Sequence, residues 1–319
     1  MSTQTETEAV EENPPRWARP VFLFITSLYW LTLYFYVPIL SPYVEHMGGT
    51  LEMVGLVVSA YGLAQLILRF PLGLWSDRLG KRRPFLALGF AANILGCLVF
   101  VVATDPWVMV GARFLSGIAA CAWVAFSVLF ASYFPAQKTS QAMSYITFCN
   151  TLSIMVATFI GGWIADVYGW LAPFWLSAGV GVLGLIGTLF IYEKTVPAQS
   201  TQPITTRLRS ILSYRELIFA SLVAAFGQYT TFATHFGFLP NYAVEIGASK
   251  TQLGILTMLG MLSISITVLL SGTVFAPRIG AKRTLVIAYL LVGIATAALP
   301  YIQTIELLYV SQVIAGLGR

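Results

Sequence analysis

The sequence predicts an all-α protein that crosses a membrane many times. Of its 319 residues, 57% are hydrophobic and 10% are charged, and the mean hydropathy is +0.79. Soluble domains carry about 25% charged residues, so these values exclude a water-soluble enzyme, and we expect no enzymatic activity. Apolar runs of about 20 residues, each long enough to cross a hydrocarbon core about 30 Å thick, recur along almost the whole chain.

Polar stretches divide the chain into four parts. Residues 1–16 are acidic and contain two prolines, which predicts a disordered tail. Residues 17–192 form a first half. Residues 193–215 are too hydrophilic to cross a membrane and too long for a tight turn, so they predict a linker with a short amphipathic helix. Residues 216–319 form a second half.

Each half is predicted as a series of helices, one for each apolar run between two polar breaks. The first half contains six predicted helices, at 18–41, 52–75, 84–103, 107–133, 139–164 and 171–192. The second half contains four, at 216–240, 250–275, 283–301 and from 305 onward. The last has about 15 residues, about 22 Å of helix, which is too short to span a bilayer unaided. We therefore expect the natural protein to continue through two more helices.

Basic residues lie mainly on one side of the predicted helices. Those in the even-numbered gaps or the linker are Arg78, Lys81, Arg82, Arg83, Lys138, Lys194, Arg207, Arg209, Arg215, Arg278, Lys282 and Arg283, whereas the odd-numbered gaps contain only Lys250. The positive-inside rule then makes the N-terminus and the linker cytoplasmic. The net charge of +5 is thereby explained by topology, and we expect no nucleic-acid partner.

The sequence gives no sign of a metal, a cofactor or a nucleotide. Cys97, Cys121 and Cys149 all fall inside predicted helices, so neither a disulfide framework nor a CxxC metal site is present. The chain also lacks the G-x-x-x-x-G-K-[ST] phosphate-binding motif. We therefore expect no cofactor and no ATP hydrolysis within this chain.

An internal repeat relates the two halves. Tyr43, Gly48 and Gly55 match Tyr242, Gly247 and Gly254 at a shift of 199 residues. One residue later in register, Arg78, Gly80, Arg82 and Arg83 match Arg278, Gly280, Lys282 and Arg283. Because each copy has an even number of helices, both keep the same orientation in the membrane. The predicted fold is therefore two parallel six-helix repeats with the second incomplete, about ten of twelve helices.

The loop after the second predicted helix reads GLWSDRLGKRRP from Gly73 to Pro84. Its pattern, G-x-x-x-D-R-x-G-[RK]-[RK], closely resembles the loop between helices 2 and 3 of the major facilitator superfamily. Helix number, linker and repeat agree with this resemblance over the whole chain. The resemblance implies a secondary transporter that works by alternating access, with a gating loop formed by Gly73, Asp77, Arg78, Gly80, Lys81 and Arg82.

Each type of residue in this loop suggests a role. Gly73 permits close helix contact, and Gly80 permits a tight turn with positive φ. The basic cluster suits an anionic membrane surface, although the charges of Lys81, Arg82 and Arg83 could instead serve topology alone. In the family that the loop resembles, the acidic residue caps a helix of the opposite half, which implies this role for Asp77. The second copy has Pro277 at that position.

Two arginines fall inside predicted helices. Arg113 lies about six residues, about 9 Å, from the outer end of the fourth helix. A buried guanidinium there costs several kcal/mol unless it faces a wet cavity or a partner. Arg113 matches an R-x-x-x-G pattern in helix 4 of the family, which implies substrate or proton coupling; the alternative is that it extends to the outer surface. Arg69, two turns from the inner end of its helix, is expected to extend to the surface.

The resemblance also places a transport cavity near the bilayer midplane, between the halves. Candidate lining residues are Tyr29, Trp30, Tyr34, Trp123, Asn150, Gln228, Tyr229, Thr231 and His235. Aromatic walls with a few polar groups suit an amphipathic small organic solute better than a hydrated ion, although many of these aromatics could be ordinary packing or interfacial residues. His235, near the outer end of its helix, could simply be solvated.

These observations lead to one expected function and one alternative. We expect a monomeric transporter of a small organic solute in the bacterial inner or plasma membrane, with a proton or sodium ion as the candidate coupling ion. Family precedent slightly favours efflux over uptake. In the fifth helix, only Gly161-Gly162 remains of the glycine signature of the family's proton-coupled antiporters, so this subclass is weakly supported. The alternative is a non-transporting membrane sensor or scaffold on the same fold.

Overall fold

The computed structural model of the protein describes residues 14–193, 214–270 and 274–318. Helices account for most of these residues, which confirms the all-α fold class. The first half contains α1 (Ala18–His46), α2 (Leu51–Leu79), α3 (Arg83–Val102), α4 (Pro106–Ala131), α5 (Ala136–Tyr168) and α6 (Ala172–Phe190). The second half contains α7 (Arg215–Glu245), α8 (Lys250–Leu270), α9 (Lys282–Tyr301) and α10 (Ile305–Leu317).

Within the described residues, α1 to α7, α8 over Lys250–Val268 and α9 are long and apolar enough to cross a membrane, and α10 is apolar but shorter. Most of the predicted tail, 1–13, and most of the predicted linker with its amphipathic helix, 194–213, lie outside the described residues. The division into four parts therefore stays a prediction.

Four helices, α1, α2, α5 and α7, end four or five residues later than the sequence pattern predicts. α1 is interrupted by a turn at Phe35 and Tyr36 and starts again at Val37, with Pro38 in the first turn, where a missing N–H costs nothing. This second segment then continues through Pro42 to His46. α2 runs to Leu79, through polar residues that read as a loop. Its end is set by Gly80, whose φ of +63° favours glycine.

The repeat seen in the sequence recurs in the backbone. Gly48 and Gly247 have φ values of +84° and +91°, and they lie in the loops that follow α1 and α7. Gly80 and Gly280 have φ values of +63° and +86°, and they lie in the loops that follow α2 and α8. Glycine is the residue that adopts such angles readily. Equivalent turns in the two halves therefore both use a glycine with positive φ, although ψ is 2° at Gly80 and 146° at Gly280.

The bundle has two ends, which we name by their residues. The basic end carries the α2–α3 loop at Gly80 and the α4–α5 loop at Lys138, and the closed end carries the loops at Gly48 and Gly247. Because consecutive helices alternate in direction, the chain enters α1 at the basic end.

The two halves are in contact at the closed end, through α5 and α8. A Cβ on Gly162 would lie 2.4 Å from the Lys250 carbonyl oxygen, so the two helices approach closely here because the residue is glycine. The Asp166 carboxylate accepts hydrogen bonds from the Thr251 backbone N–H at 3.1 Å and from its hydroxyl at 2.6 Å. The Lys250 Nζ lies 4.2 Å from the Trp170 ring centroid. Polar and steric contacts thus join the halves at this end.

Candidate functional site

A cavity of about 640 Å³ lies between the two halves. Its walls come from α1, α2, α4 and α5 of the first half, and from α7, α8, α9 and Gly318, just after α10, of the second. Of the residues predicted to line such a cavity, the structure places six in its wall: Trp30, Tyr34, Trp123, Asn150, Gln228 and Thr231. The lining residues of α2 and α9 lie in the middle of these helices and toward the basic end, opposite the α5–α8 contact.

Aromatic rings from both halves form much of the wall. Trp30 packs edge-on against Trp123 with ring centroids 5.1 Å apart. Across the boundary between the halves, Tyr34 lies 5.9 Å from Phe236 and Tyr61 lies 5.7 Å from the Phe232 ring. Such rings offer large apolar contact areas with few rotatable bonds. The wall therefore suits a ligand with an apolar or aromatic body.

The second helix contributes lining residues that the sequence analysis missed. Tyr61, Gln65 and Arg69 lie four residues apart on α2, so they share one face of the helix, and all three line the cavity. A polar or aromatic residue at every fourth position of an apolar run is a signal that can be read from the sequence. Polar groups on other helices include the amides of Asn150 and Gln228.

Arg69 does not follow the expectation that it extends to the membrane surface. It lines the cavity, and its Nη1 donates to the Gln65 Oε1 at 3.4 Å. The prediction was wrong because α2 ends at Leu79, ten residues and about 15 Å beyond Arg69, rather than at residue 75. Among the described lining residues, Arg69 is the one that carries a charge.

Two predicted lining residues on α1 and α7 point elsewhere. Tyr29 is fully buried inside the first half, where its hydroxyl donates to the Ala119 carbonyl oxygen at 2.6 Å. Tyr229 is 71% exposed on the outside of α7. Adjacent residues on a helix point about 100° apart, so the neighbours Trp30 and Gln228 face the cavity and these two tyrosines do not. The structure thereby corrects both placements.

His235 is neither in the cavity wall nor solvated. Its side chain is 1% exposed, and its Nδ1 lies 2.9 Å from the Gln312 Oε1 of α10. A Cβ on Gly260 of α8 would lie 2.3 Å from the imidazole, so this glycine leaves space for the ring. The π-helical segment Thr231–Phe238 adds residues per turn and changes which side chains face inward. His235 thus joins α7, α8 and α10 within the second half.

Arg113 is buried one layer behind the cavity wall. Its side chain is 3% exposed, and its guanidinium carbon lies 4.5 Å from the Tyr61 ring centroid and 5.7 Å from that of Tyr36. Its Nη1 donates to the Tyr36 hydroxyl at 3.3 Å. These contacts rule out extension to the outer surface. Since Tyr61 itself lines the cavity, the positive charge lies directly behind a ring of the cavity wall.

A buried polar network holds Tyr36 in place. Its hydroxyl lies 2.8 Å from the Ser116 Oγ and 3.5 Å from the Asn93 Oδ1. The Asn93 amide donates to the Thr32 carbonyl oxygen at 3.0 Å, and the Ser177 hydroxyl donates to the same oxygen. The network joins α1, α3, α4 and α6. The sequence analysis missed it, although an asparagine in the apolar run of α3 was a visible signal.

The α2–α3 loop is ordered by its own charges. The Asp77 carboxylate pairs with Arg82 at 2.5 Å, and Arg82 Nη1 donates to the Ser76 hydroxyl at 2.6 Å. Arg82 is 4% exposed, so it does more than set topology. The expected close contact at Gly73 is absent from this conformation, because a Cβ there would meet nothing within 4 Å. Capping of the other half by Asp77 stays a prediction.

The loop is also tied to α6 by residues that the predicted site omits. The Glu193 carboxylate accepts from the backbone N–H groups of Arg82 at 2.8 Å and Arg83 at 3.0 Å, and so caps the start of α3. The Arg83 guanidinium donates to the carbonyl oxygens of Thr188 at 2.7 Å and Leu189 at 2.6 Å, at the end of α6. Arg78 and Lys81 remain exposed at the basic end.

Comparison with known proteins places the chain in a family. Residues 22–319 match the family model described as Major Facilitator Superfamily. The inner membrane transport protein YajR of Escherichia coli K12 is 29% identical over 178 residues, which cover 56% of this chain and 38% of YajR. Multidrug resistance protein 2 of Bacillus subtilis 168 is 23% identical over 288 residues, 84% of this chain and 68% of that protein.

A solved structure shares the fold. The crystal structure of the nucleoside transporter NupG (D323A mutant) superposes with a TM-score of 0.74 at 17% identity, and the match covers 93% of this chain and 79% of NupG. At this identity the likeness concerns the fold alone. The paired helical halves, the glycine and arginine pattern of the α2–α3 loop and the family match over residues 22–319 agree, and the chain belongs to the major facilitator superfamily.

Proposed function

We propose that this chain transports a small organic solute across the membrane by alternating access. The observation that carries the proposal is the position of the cavity: it lies between two repeats that are in contact at the closed end. Rocking of one repeat against the other would break the α5–α8 contact and expose the same cavity to the opposite side. One matching relative is named as an inner membrane transport protein and another as a multidrug resistance protein, which supports the same function.

We also propose a direction and a setting for this transport, with support from charge and from relatives. The basic end is cytoplasmic by the positive-inside rule, so the N-terminus is cytoplasmic and the cavity lies on the cytoplasmic side of the α5–α8 contact. The protein acts as a monomer in the bacterial inner or plasma membrane. Efflux is slightly favoured over uptake, since one relative is named for multidrug resistance. A proton or sodium ion gradient would drive the cycle.

Exchange of solute across a membrane tests this proposal. Purified protein is first screened against amphipathic organic solutes by thermal stabilisation, because ligands that bind the folded state raise the melting temperature. Radiolabelled forms of the stabilising solutes are then measured in counterflow with proteoliposomes. We expect counterflow in the wild type, and at least a tenfold slower rate in Trp123→Ala, which removes a ring from the cavity wall.

The control for that variant is Trp107→Ala, which removes an exposed tryptophan near the closed end. It should exchange solute at the wild-type rate. Solutes that stabilise the protein but never exchange would identify a membrane sensor and contradict transport.

A further inference from the structure

The charges around the cavity are of one sign. Within the described residues, Arg69 lines the cavity, and Arg113 lies behind the Tyr61 ring at 4.5 Å. No Asp or Glu is among the described lining residues. The ion pair found in the described part of the chain joins Asp77 and Arg82 in the α2–α3 loop. Two arginines in the middle of the bundle are therefore left without a carboxylate partner there.

The Arg69 side chain is arranged to receive an anion. Its guanidinium has five N–H donors, and the hydrogen bond to Gln65, at 3.4 Å, uses one of them. The Gln65 contact holds the side chain along α2 and leaves the other donors available to the cavity. A guanidinium pairs with a carboxylate or phosphate group through two parallel hydrogen bonds, which fixes orientation as well as charge.

The surroundings strengthen that attraction. Arg69 itself is exposed to the cavity, so the charge interaction becomes stronger than in water when a ligand body packs on the aromatic wall of Trp30, Tyr34 and Trp123 and excludes water. Arg113 adds positive potential from behind Tyr61. The same field repels an organic cation. A cavity of about 640 Å³ also falls in the size range of sites for drug-sized ligands, about 300–1,000 Å³.

We propose that the cavity selects organic anions: molecules with an aromatic or apolar body that packs on the tryptophan and tyrosine rings and an acidic group that binds Arg69. This inference rests on the proposed function for its physiological meaning, but it concerns binding and is tested separately. Arg69 is the residue that contacts the acidic group. Arg113 acts at a distance through the field, and Gln65 positions the guanidinium.

The test compares ligands that differ in charge alone. Protein in phosphatidylcholine nanodiscs is titrated with 4-phenylbutyrate, 4-phenylbutanol and 4-phenylbutylamine, and with the naphthyl analogue of each. We expect each carboxylate to bind at least about ten times more tightly than its alcohol and amine, as is typical of a hydrogen bond to a charged group. Equal affinities, or preference for the amines, would overturn the proposal.

Variants then assign the preference to Arg69. Arg69→Gln should remove the preference for the carboxylates and leave the affinity for the alcohols unchanged, which also shows that the variant is folded. Arg69→Lys should restore part of it, because the charge is kept and the two parallel hydrogen bonds are lost. The matched control Arg78→Gln removes an exposed cation at the basic end and should keep the full preference. A preference that survives Arg69→Gln would contradict the assignment.

Two further arms separate the outcomes. If the alcohols exchange in counterflow and no carboxylate preference is found, transport stands and anion selection fails. If the carboxylates bind Arg69 but never exchange, anion selection stands and transport fails.

An anionic lipid headgroup could bind Arg69 through the same kind of contact as a carboxylate, so the titration is repeated with phosphatidylglycerol in the nanodisc. Competition with the carboxylates would assign the anion to lipid, and an unchanged affinity would assign it to a soluble solute.

Discussion

Arg113→Met is expected to reduce counterflow at least tenfold while the protein stays as thermally stable as the wild type, or becomes more stable. Arg113 is 3% exposed and is held by two tyrosine rings and one hydrogen bond at 3.3 Å, with no carboxylate partner in the described part of the chain. Replacing a buried charge by an apolar side chain of similar length is often neutral or stabilising. A charge kept at that cost is expected to serve function.

The measurement pairs counterflow in proteoliposomes with an unfolding curve of the same preparation. Arg113→Lys is the control that keeps the charge, and it should retain part of the activity because the planar guanidinium between the Tyr36 and Tyr61 rings is lost. Full counterflow in Arg113→Met would show that the charge has no role in transport. A large fall in melting temperature would instead identify Arg113 as a structural residue.

Gly161→Val is expected to destabilise the first half strongly. A Cβ at this position of α5 would lie 1.6 Å from the Phe35 carbonyl oxygen, at the break of α1. The neighbour is backbone, so it cannot move aside by changing a rotamer, and overpacking of this kind costs about 1–3 kcal/mol or more. We expect an apparent melting temperature several degrees below the wild type and reduced yield in the membrane.

The matched control is Gly179→Val on α6, where a Cβ would meet nothing within 4 Å. Since both variants make the same chemical change in a membrane helix, helix propensity and hydrophobicity largely cancel in the comparison. Gly179→Val should melt within a degree or two of the wild type. Equal melting temperatures for the two variants would show that α1 and α5 do not approach as closely as the structure places them.

The positions of the helices were predictable from the sequence because they depend on composition over about 20 consecutive residues. Likewise, the turn at Gly80 was predictable because one glycine between helices, with basic residues after it, has few other uses. The ends of α1 and α2 were harder to predict. The predicted ends at residues 41 and 75 fall before Pro42 and the polar run Ser76-Asp77-Arg78, yet α1 continues through that proline to His46 and α2 continues through that run to Leu79.

The direction in which each side chain points was harder to predict from the sequence. Trp30 and Tyr29, or Gln228 and Tyr229, differ by one residue and by about 100° around a helix, and composition does not distinguish them. Only the packing of Tyr29 on Phe90 and Phe126 decides which ring is in the core. The error at Arg69 is related: because the end of α2 was predicted four residues too early, a residue of the cavity wall was predicted to lie at the membrane surface.

Contacts between distant parts of the chain could not be predicted at all. Glu193 stands 110 residues from the Arg83 backbone N–H that it accepts from, and nothing in the local sequence marks it as a cap for α3. The contact of Asp166 with Thr251, which joins the halves, spans 85 residues in the same way. Such pairs depend on how the helices assemble.

Two-sided labelling of the cavity tests the central claim, alternating access, most directly. In a protein whose native cysteines are replaced, Asn150→Cys places one thiol in the cavity wall. Asp166→Cys and Thr251→Cys add a pair of thiols at the α5–α8 contact, where a cleavable bifunctional crosslinker can lock the closed end. A membrane-impermeant maleimide is then applied from each side of the membrane in turn.

Before locking, the thiol at position 150 should react from both sides. After locking, it should react from the side of the basic end alone, and cleavage of the crosslinker should restore reaction from the other side. Each lock cysteine alone, treated with the same crosslinker, should behave as the unlocked protein. Reaction from the basic end alone in every sample would show a cavity with one permanent opening, and it would contradict alternating access.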